Sequence, residues 1–205
     1  MDWTTNGLEK KKFTNGSDVK FRWTILPPQF YDTLLQSVPK SVVGYGNGKE
    51  NPFPSFVDVD FVFFPLSIDN NEWMLVRLEL ASQELVLYPF ENFCGRGDKF
   101  RAVIIPRLTK LKVYLTGLLV HLKYWKKTGK PECCITHELN DNYVISNRSI
   151  VGNEAVYLCM LMEHLVTDKP INITGDVKQI CLSYRRFMAD KLYFWRCLPR
   201  PNVVK

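Results

Sequence analysis

The run from Val57 to Phe90, VDVDFVFFPLSIDNNEWMLVRLELASQELVLYPF, constrains the fold more than any other part of this 205-residue chain. Residues 57–66 and 73–80 are expected to be strands, the second with Met74, Val76, Leu78 and Leu80 on one face at the two-residue period of a pleated strand. Asp69-Asn70-Asn71 turns the first strand into the second, and Ala81-Ser82-Gln83 turns the second into a third at residues 84–88. A meander this apolar must bury its faces against helices to persist in water.

The rest of the chain supplies those helices. Ile104, Leu108, Leu111, Leu115, Leu118, Leu122 and Trp125 recur in steps of four and three, which predicts one long amphipathic helix ended by Gly129 and Pro131. Residues 154–166 are apolar on nearly every side, as in a buried central helix. Thr174-Gly175-Asp176 starts a last helix reaching about residue 195, with Val177, Ile180, Cys181, Tyr184, Phe187 and Met188 inward. Near the N-terminus, Trp23 belongs to a short strand or turn, and a helical segment follows Pro27-Pro28. Residues 41–54, with Gly44, Gly46, Gly48 and two prolines, are expected to be a loop. Residues 132–139 and 143–145 are expected to be strands around an Asn140-Asp141-Asn142 turn. The pattern predicts an α+β domain: a mixed sheet with helices packed against it, spanning residues 19–205 behind a loose polar tail at 1–18.

Three short motifs carry a resemblance. Pro65-Leu66, the polar turn and Glu72-Trp73 stand in the order in which ubiquitin-like-protease (Ulp-type, deSUMOylase) cysteine peptidases carry a Pro-Ile-like pair, a turn and His-Trp. Tyr88-Pro89-Phe90 occupies the place of that family's Tyr-Asp-Ser. Arg148-Ser149-Ile150-Val151-Gly152-Asn153-Glu154-Ala155-Val156-Tyr157-Leu158-Cys159 aligns without a gap to the segment from its oxyanion Gln through Asp-Cys-Gly-Val-Phe-Val-Cys. The chain thus resembles this family, in particular its plant and transposon-associated branch, over residues 23–198 and most specifically over 57–165. The resemblance implies a papain-like fold, here reduced at its N-terminal end because the entry region is short. It also implies that each reacting residue is replaced: His by Glu72, Asp by Pro89, Gln by Arg148 and Cys by Glu154.

Those replacements bear on chemistry whatever the family. Acyl transfer of this kind needs a thiolate made by a neighbouring imidazole, a group orienting the imidazole, and donors for the oxyanion. Glu154 offers no sulfur, and Glu72 places negative charge where an imidazolium would stabilise a thiolate. Pro89 has neither carboxylate nor backbone N–H. Structural roles account for the same residues: Asn153 and Glu154 suit a helix start, where a first-turn carboxylate gains about 0.3–1 kcal/mol from the helix dipole. Glu72 suits a solvated turn, and Arg148 a surface charge.

In the family, two tryptophans wall the tunnel that takes the modifier's Gly-Gly tail. Trp73 matches one by position, and Trp23, followed by Leu34-Leu35, matches the other; as core aromatics both would be equally well explained. The expected function is a catalytically inactive homologue that binds or regulates, with SUMO or another ubiquitin-like modifier as partner. A second reading is a living peptidase whose nucleophile has moved to Cys94, Cys133, Cys134 or Cys159, served by His121, His137 or His164. A third is a degenerate mobile-element-derived domain without activity.

Composition limits the remaining classes. At 46% apolar residues the chain can bury a sizeable core. No segment approaches 18 consecutive apolar residues, and residues 1–5 lack a charged-then-apolar signal pattern, so a nuclear or cytoplasmic protein is expected and no membrane partner. Six cysteines in that setting suggest free thiols. Cys133-Cys134-Ile135-Thr136-His137 has no second ligand pair at metal-binding distance, and a strand explains it better; neither metal nor cofactor is expected. Cys159 and Cys181 fall on apolar helix faces, and Asn15, Asn147 and Asn172 begin chance glycosylation-type triplets. The net charge of +6 gathers at Lys10–Lys12 and at Lys123, Lys126, Lys127 and Lys130. The second cluster suits a helix C-terminus, and no nucleic-acid-binding motif accompanies it, so nucleic acid is not the expected partner.

Overall fold

The computed structural model describes residues 11–12, 20–36, 40–68, 73–90, 97–98, 100–140, 152–171 and 175–197. Within the stretch expected to be a loose tail, β1 (Lys11–Lys12) pairs antiparallel with β2 (Lys20–Phe21). The main sheet follows, built among the described residues from five strands: β3 (Trp23–Ile25), β4 (Phe61–Ser67), β5 (Trp73–Glu79), β6 (Glu84–Tyr88) and β7 (Thr136–Leu139). Their spatial order is the chain order, and the sheet is mixed. The central meander β4–β5–β6 is antiparallel, while β3 joins β4 and β7 joins β6 in parallel.

Register sorts the side chains between two faces. Val62, Phe64, Leu66, Met74, Val76, Leu78, Leu85 and Leu87 point to one face and enter the larger core. That face is covered by α1 (Gln29–Leu35), α2 (Lys40–Asn47), α3 (Ile105–His121) and α4 (Tyr124–Thr128). Phe63, Leu75, Val86 and Tyr88 point the other way, into a second core closed by α5 (Glu154–Val166) and α6 (Val177–Cys197). Both faces of β4–β6 are therefore buried, which is why these strands carry near-continuous apolar runs. The product is the expected α+β architecture, a sheet between two helical layers.

The predicted long helix is broken. A π-helical turn at Phe100–Ile104 leads into α3, whose stripe Leu108, Leu111, Leu115, Leu118 and Leu119 is buried. At Lys123 the backbone turns left-handed (φ 55°), and α4 restarts in a new direction. Packing wins over helix continuation here. The turn lets the Tyr124 hydroxyl donate to the Leu80 carbonyl (3.0 Å) and the Trp125 indole N–H donate to Gln83 Oε1 (2.8 Å). Gln83, itself left-handed at φ 58° and almost wholly buried, donates in turn to the Pro131 carbonyl (3.0 Å).

Residues expected to be a loop form α2 instead. A Cβ built on Gly46 would collide with Leu122 Cδ1, so this glycine serves the close approach of two helical segments. Gly48, at φ +76°, ends the helix. The strand expected from residue 132 begins only at Thr136, leaving Cys133 and Cys134 exposed in the preceding segment. In α6, Phe187 is 42% exposed where it was expected inward. Asp176 Oδ1 accepts from the backbone N–H of Lys178 (3.0 Å) and Gln179 (3.3 Å), capping α6 at the expected place. The predicted strand at 143–145 lies outside the described residues.

Candidate functional site

The second core is not closed throughout: one end of it opens as an apolar pocket of about 370 Å³. Its floor is the end of the β4–β5 hairpin, where Pro65 and Trp73 lie on the same sheet face. One wall is the passage from β3 into α1, Ile25 to Pro28, with Phe53 beside it. The opposite wall is α5, which presents Ala155, Leu158, Cys159 and Met162, one helical stripe at spacings of three and four.

Local chemistry fixes this geometry. Pro28 stands in the cap position of α1 with helical backbone angles (φ −53°, ψ −32°), and a proline disfavours helix at the residue before it, so α1 starts here and not earlier. The Leu26 N–H still donates to the Phe63 carbonyl (2.8 Å), tying the wall to the sheet. At the other side, Gly152 (φ +77°) and Asn153 lead into α5. Asn153 occupies the cap position without capping the helix through its side chain. Its Oδ1 instead accepts from Arg185 Nη2 of α6 (2.9 Å), which also donates to the Gly152 carbonyl (3.1 Å). The start of α5 is thus held from α6.

The expected site residues fall as follows. Glu154 is the first residue of α5, half-buried and next to the pocket residue Ala155. Pro89 is buried just after β6, and the preceding Tyr88 packs in the second core. Burial pushes the Tyr88 hydroxyl up, against a smaller opposing pull from the Arg77 guanidinium. Glu72, Arg148 and Cys94 lie outside the described residues. Trp73 lines the pocket, but Trp23 does not. Trp23 is level with Phe61 and Trp73 with Ser67, six residues apart along β4, or about 20 Å at ~3.3 Å per residue. The two tryptophans do not face each other across one passage; Ile25–Pro28 faces Trp73 in place of Trp23.

Cys159 is half-buried on the pocket wall, and burial pushes its thiol above the ordinary value. The imidazoles lie elsewhere. His137 is in register with Leu85, on the opposite sheet face, with Nδ1 3.5 Å from Lys112 Nζ of α3. His121 ends α3 in that same far layer. His164 is five residues along α5 from Cys159, roughly 140° around the helix, with Nδ1 2.7 Å from the Pro170 carbonyl. Cys181 is wholly buried against α5. No group of three or more His, Cys, Asp or Glu among the described residues is arranged to hold a metal ion.

Ile25, Leu26, Pro27, Pro28 and Phe53 escaped sequence reasoning as site residues, because apolar residues beside a helix start look like ordinary core. The α5 stripe was legible as a periodicity. In a helix apolar all round, however, nothing in the pattern tells which face looks into an opening.

Comparison with known proteins bears on the fold. No family model matches the sequence, and no curated protein matches it. Among solved structures the chain is similar to the C-terminal Ulp1 protease domain in complex with Smt3, the yeast orthologue of SUMO. The TM-score is 0.55 at 17% identity, over 82% of this chain and 66% of that one. It is similar also to the SUMO protease Ulp1 with its catalytic cysteine oxidised to a sulfinic acid, with a TM-score of 0.54 at 14% identity, over 83% of this chain and 70% of that one. The chain spans about two thirds of the length of these structures. The architecture is that of a papain-like, Ulp-type cysteine peptidase fold. No described helix is long and apolar enough to cross a membrane.

Proposed function

We propose that this chain is a non-cleaving Ulp-fold module that holds a protein partner, SUMO or another ubiquitin-like modifier. The observation that carries the reading is the start of α5. There Glu154 opens the helix immediately before Ala155, which lines the opening between α5 and the β4–β5 hairpin, and the described walls of that opening carry no imidazole and no carboxylate. A carboxylate in that first turn is stabilised by the helix dipole and supplies no thiolate. Pro89 adds to this, since the position after β6 has no carboxylate to orient an imidazole. The likeness to SUMO proteases supplies the class of partner to try first. Titration with SUMO and related modifiers should give saturable binding without cleavage of their precursors, weakened at least tenfold by Ala155→Arg at the pocket mouth. Absence of binding at high micromolar concentration would contradict the modifier form of the proposal.

The alternative of a relocated nucleophile rests on one observation, the position of Cys159 on the pocket wall. Against it stand a thiol pushed up by burial and imidazoles in other layers or on another helix face. A degenerate domain without retained activity is the reading that remains if neither binding nor labelling is found.

A further inference from the structure

The outer side of α3 is unlike that of a solvated helix. We infer that it is the docking face for an acidic amphipathic helix of a partner protein, one whose apolar stripe is flanked by aspartate and glutamate. This face lies across the sheet from the opening beside α5, so the inference stands apart from the choice of modifier there.

Three observations carry it. The first is apolar exposure: α3 buries Leu108, Leu111, Leu115 and Leu118, yet Val113 and Val120 on its opposite side are 66% and 51% exposed. The outer face of a solvated helix is ordinarily polar. The second is Gly117, four residues after one valine and three before the other, and so on the same face. Glycine weakens a helix interior relative to alanine. At Gly46 the contact with Leu122 accounts for that cost. At Gly117 the backbone is helical and an added Cβ would meet nothing within 4 Å, so no contact inside this chain accounts for it. A helix crossing from outside would use the missing side chain to bring its axis close.

The third observation is charge, and it decides the occupant. Between residues 99 and 131 lysine and arginine occur nine times and aspartate and glutamate not at all, whereas the rest of the chain has 18 of the former against 21 of the latter. Arg101, Lys110, Lys123, Lys126 and Lys127 are exposed. The ion pairs among the described residues join Arg22 to Asp60, Arg77 to Glu79 and Lys169 to Glu163, none of them on α3 or α4. A second copy of this chain is disfavoured, since α3 on α3 in either direction sets cations against cations. A nucleic acid would place phosphates over the valines, and Tyr124 and Trp125 are buried rather than open to stack a base. A membrane surface is gripped by bulky apolar and aromatic side chains, and the large apolar side chains that α3 exposes are two valines. An acidic helix with an apolar stripe answers all three observations.

The test uses the full chain carrying 13C-methyl valine, observed by NMR, with Val113 and Val120 as reporters and the buried Val76 as internal reference. The probe is a synthetic amphipathic helix of about 20 residues with leucine on one face and glutamate on the other. Its lysine counterpart, a short DNA duplex and phosphatidylserine-containing vesicles are titrated beside it. The expected result is a saturable shift of both reporters by the glutamate peptide with Kd below about 1 mM, Val76 unmoved, and none by the lysine peptide. Lys123→Glu combined with Lys127→Glu, and independently Gly117→Phe, should weaken the glutamate peptide at least tenfold while Val76 reports an intact fold. Gly117→Ala should raise the thermal midpoint of the free chain, because the fold itself has no use for the glycine. No shift of Val113 and Val120 by the glutamate peptide, equal binding of the lysine peptide, or failure of Gly117→Ala to raise the midpoint would overturn the inference. Tighter binding of the duplex or the vesicles at the same valines, lost on the same charge reversal, would also overturn it and assign the face to nucleic acid or to a membrane.

Discussion

Cys159 is the residue at which a binding site and a catalytic site predict opposite behaviour. A nucleophilic cysteine has its pKa lowered by an imidazolium, a cation or a helix N-terminus. Here burial drives the thiol the other way, so the protonated form persists above the pH at which an ordinary thiol ionises. Alkylation by iodoacetamide, followed by site-resolved mass spectrometry, should therefore be at least about tenfold slower at Cys159 than in glutathione at pH 7.5. The rate should still be rising at a pH where glutathione has levelled. Alkylation of Cys159 faster than glutathione at neutral pH would mean an activated nucleophile. Glu154 shows how much a single position can carry: its place at the opening of a helix was legible from Asn153 and the apolar run after it. What the sequence could not tell was that Asn153 gives its side chain to Arg185 rather than to the helix.

Elements were legible where period and turn chemistry agreed. β6 and α5 begin and end where alternation and helical period place them, because burial on both sides leaves few alternatives. They were misread where a residue serves a distant neighbour. Gly46 looks like a loop residue and is a contact surface for Leu122. Gly46→Val should destabilise the fold by about 1–3 kcal/mol in urea unfolding, and Leu122→Ala in the same chain should recover part of the loss. A substitution at Gly46 that is neutral or stabilising would remove the packing account of α2. The break between α3 and α4 has the same origin, since the indole of Trp125 finds its acceptor on the β5–β6 turn. Gln83→Ala should leave the buried indole N–H and the Pro131 carbonyl without that partner, costing about 1–3 kcal/mol. Unchanged thermal and urea stability in that variant would show that the turn and α4 are not coupled through this side chain.

At the scale of the molecule, the fold could be recognised from three short motifs because the strands and helices that frame the site follow the Ulp-type fold. The site itself was less legible. Trp23 and Trp73, expected to act together, are separated by the register of β4, and the wall facing Trp73 comes from Ile25–Pro28. Sequence spacing fixes neither register nor which apolar residues border a void. The proposed reading, a module that grips without cutting, rests on this frame and its opening. The most direct test is to incubate the purified chain with a ubiquitin-like modifier, SUMO first, carrying a C-terminal thiol-reactive warhead, alongside Cys→Ser variants at Cys94, Cys133, Cys134 and Cys159. A folded protein that forms no covalent adduct, while binding the unreactive modifier, is the predicted result. An adduct abolished by one of those substitutions would contradict it and identify a working peptidase.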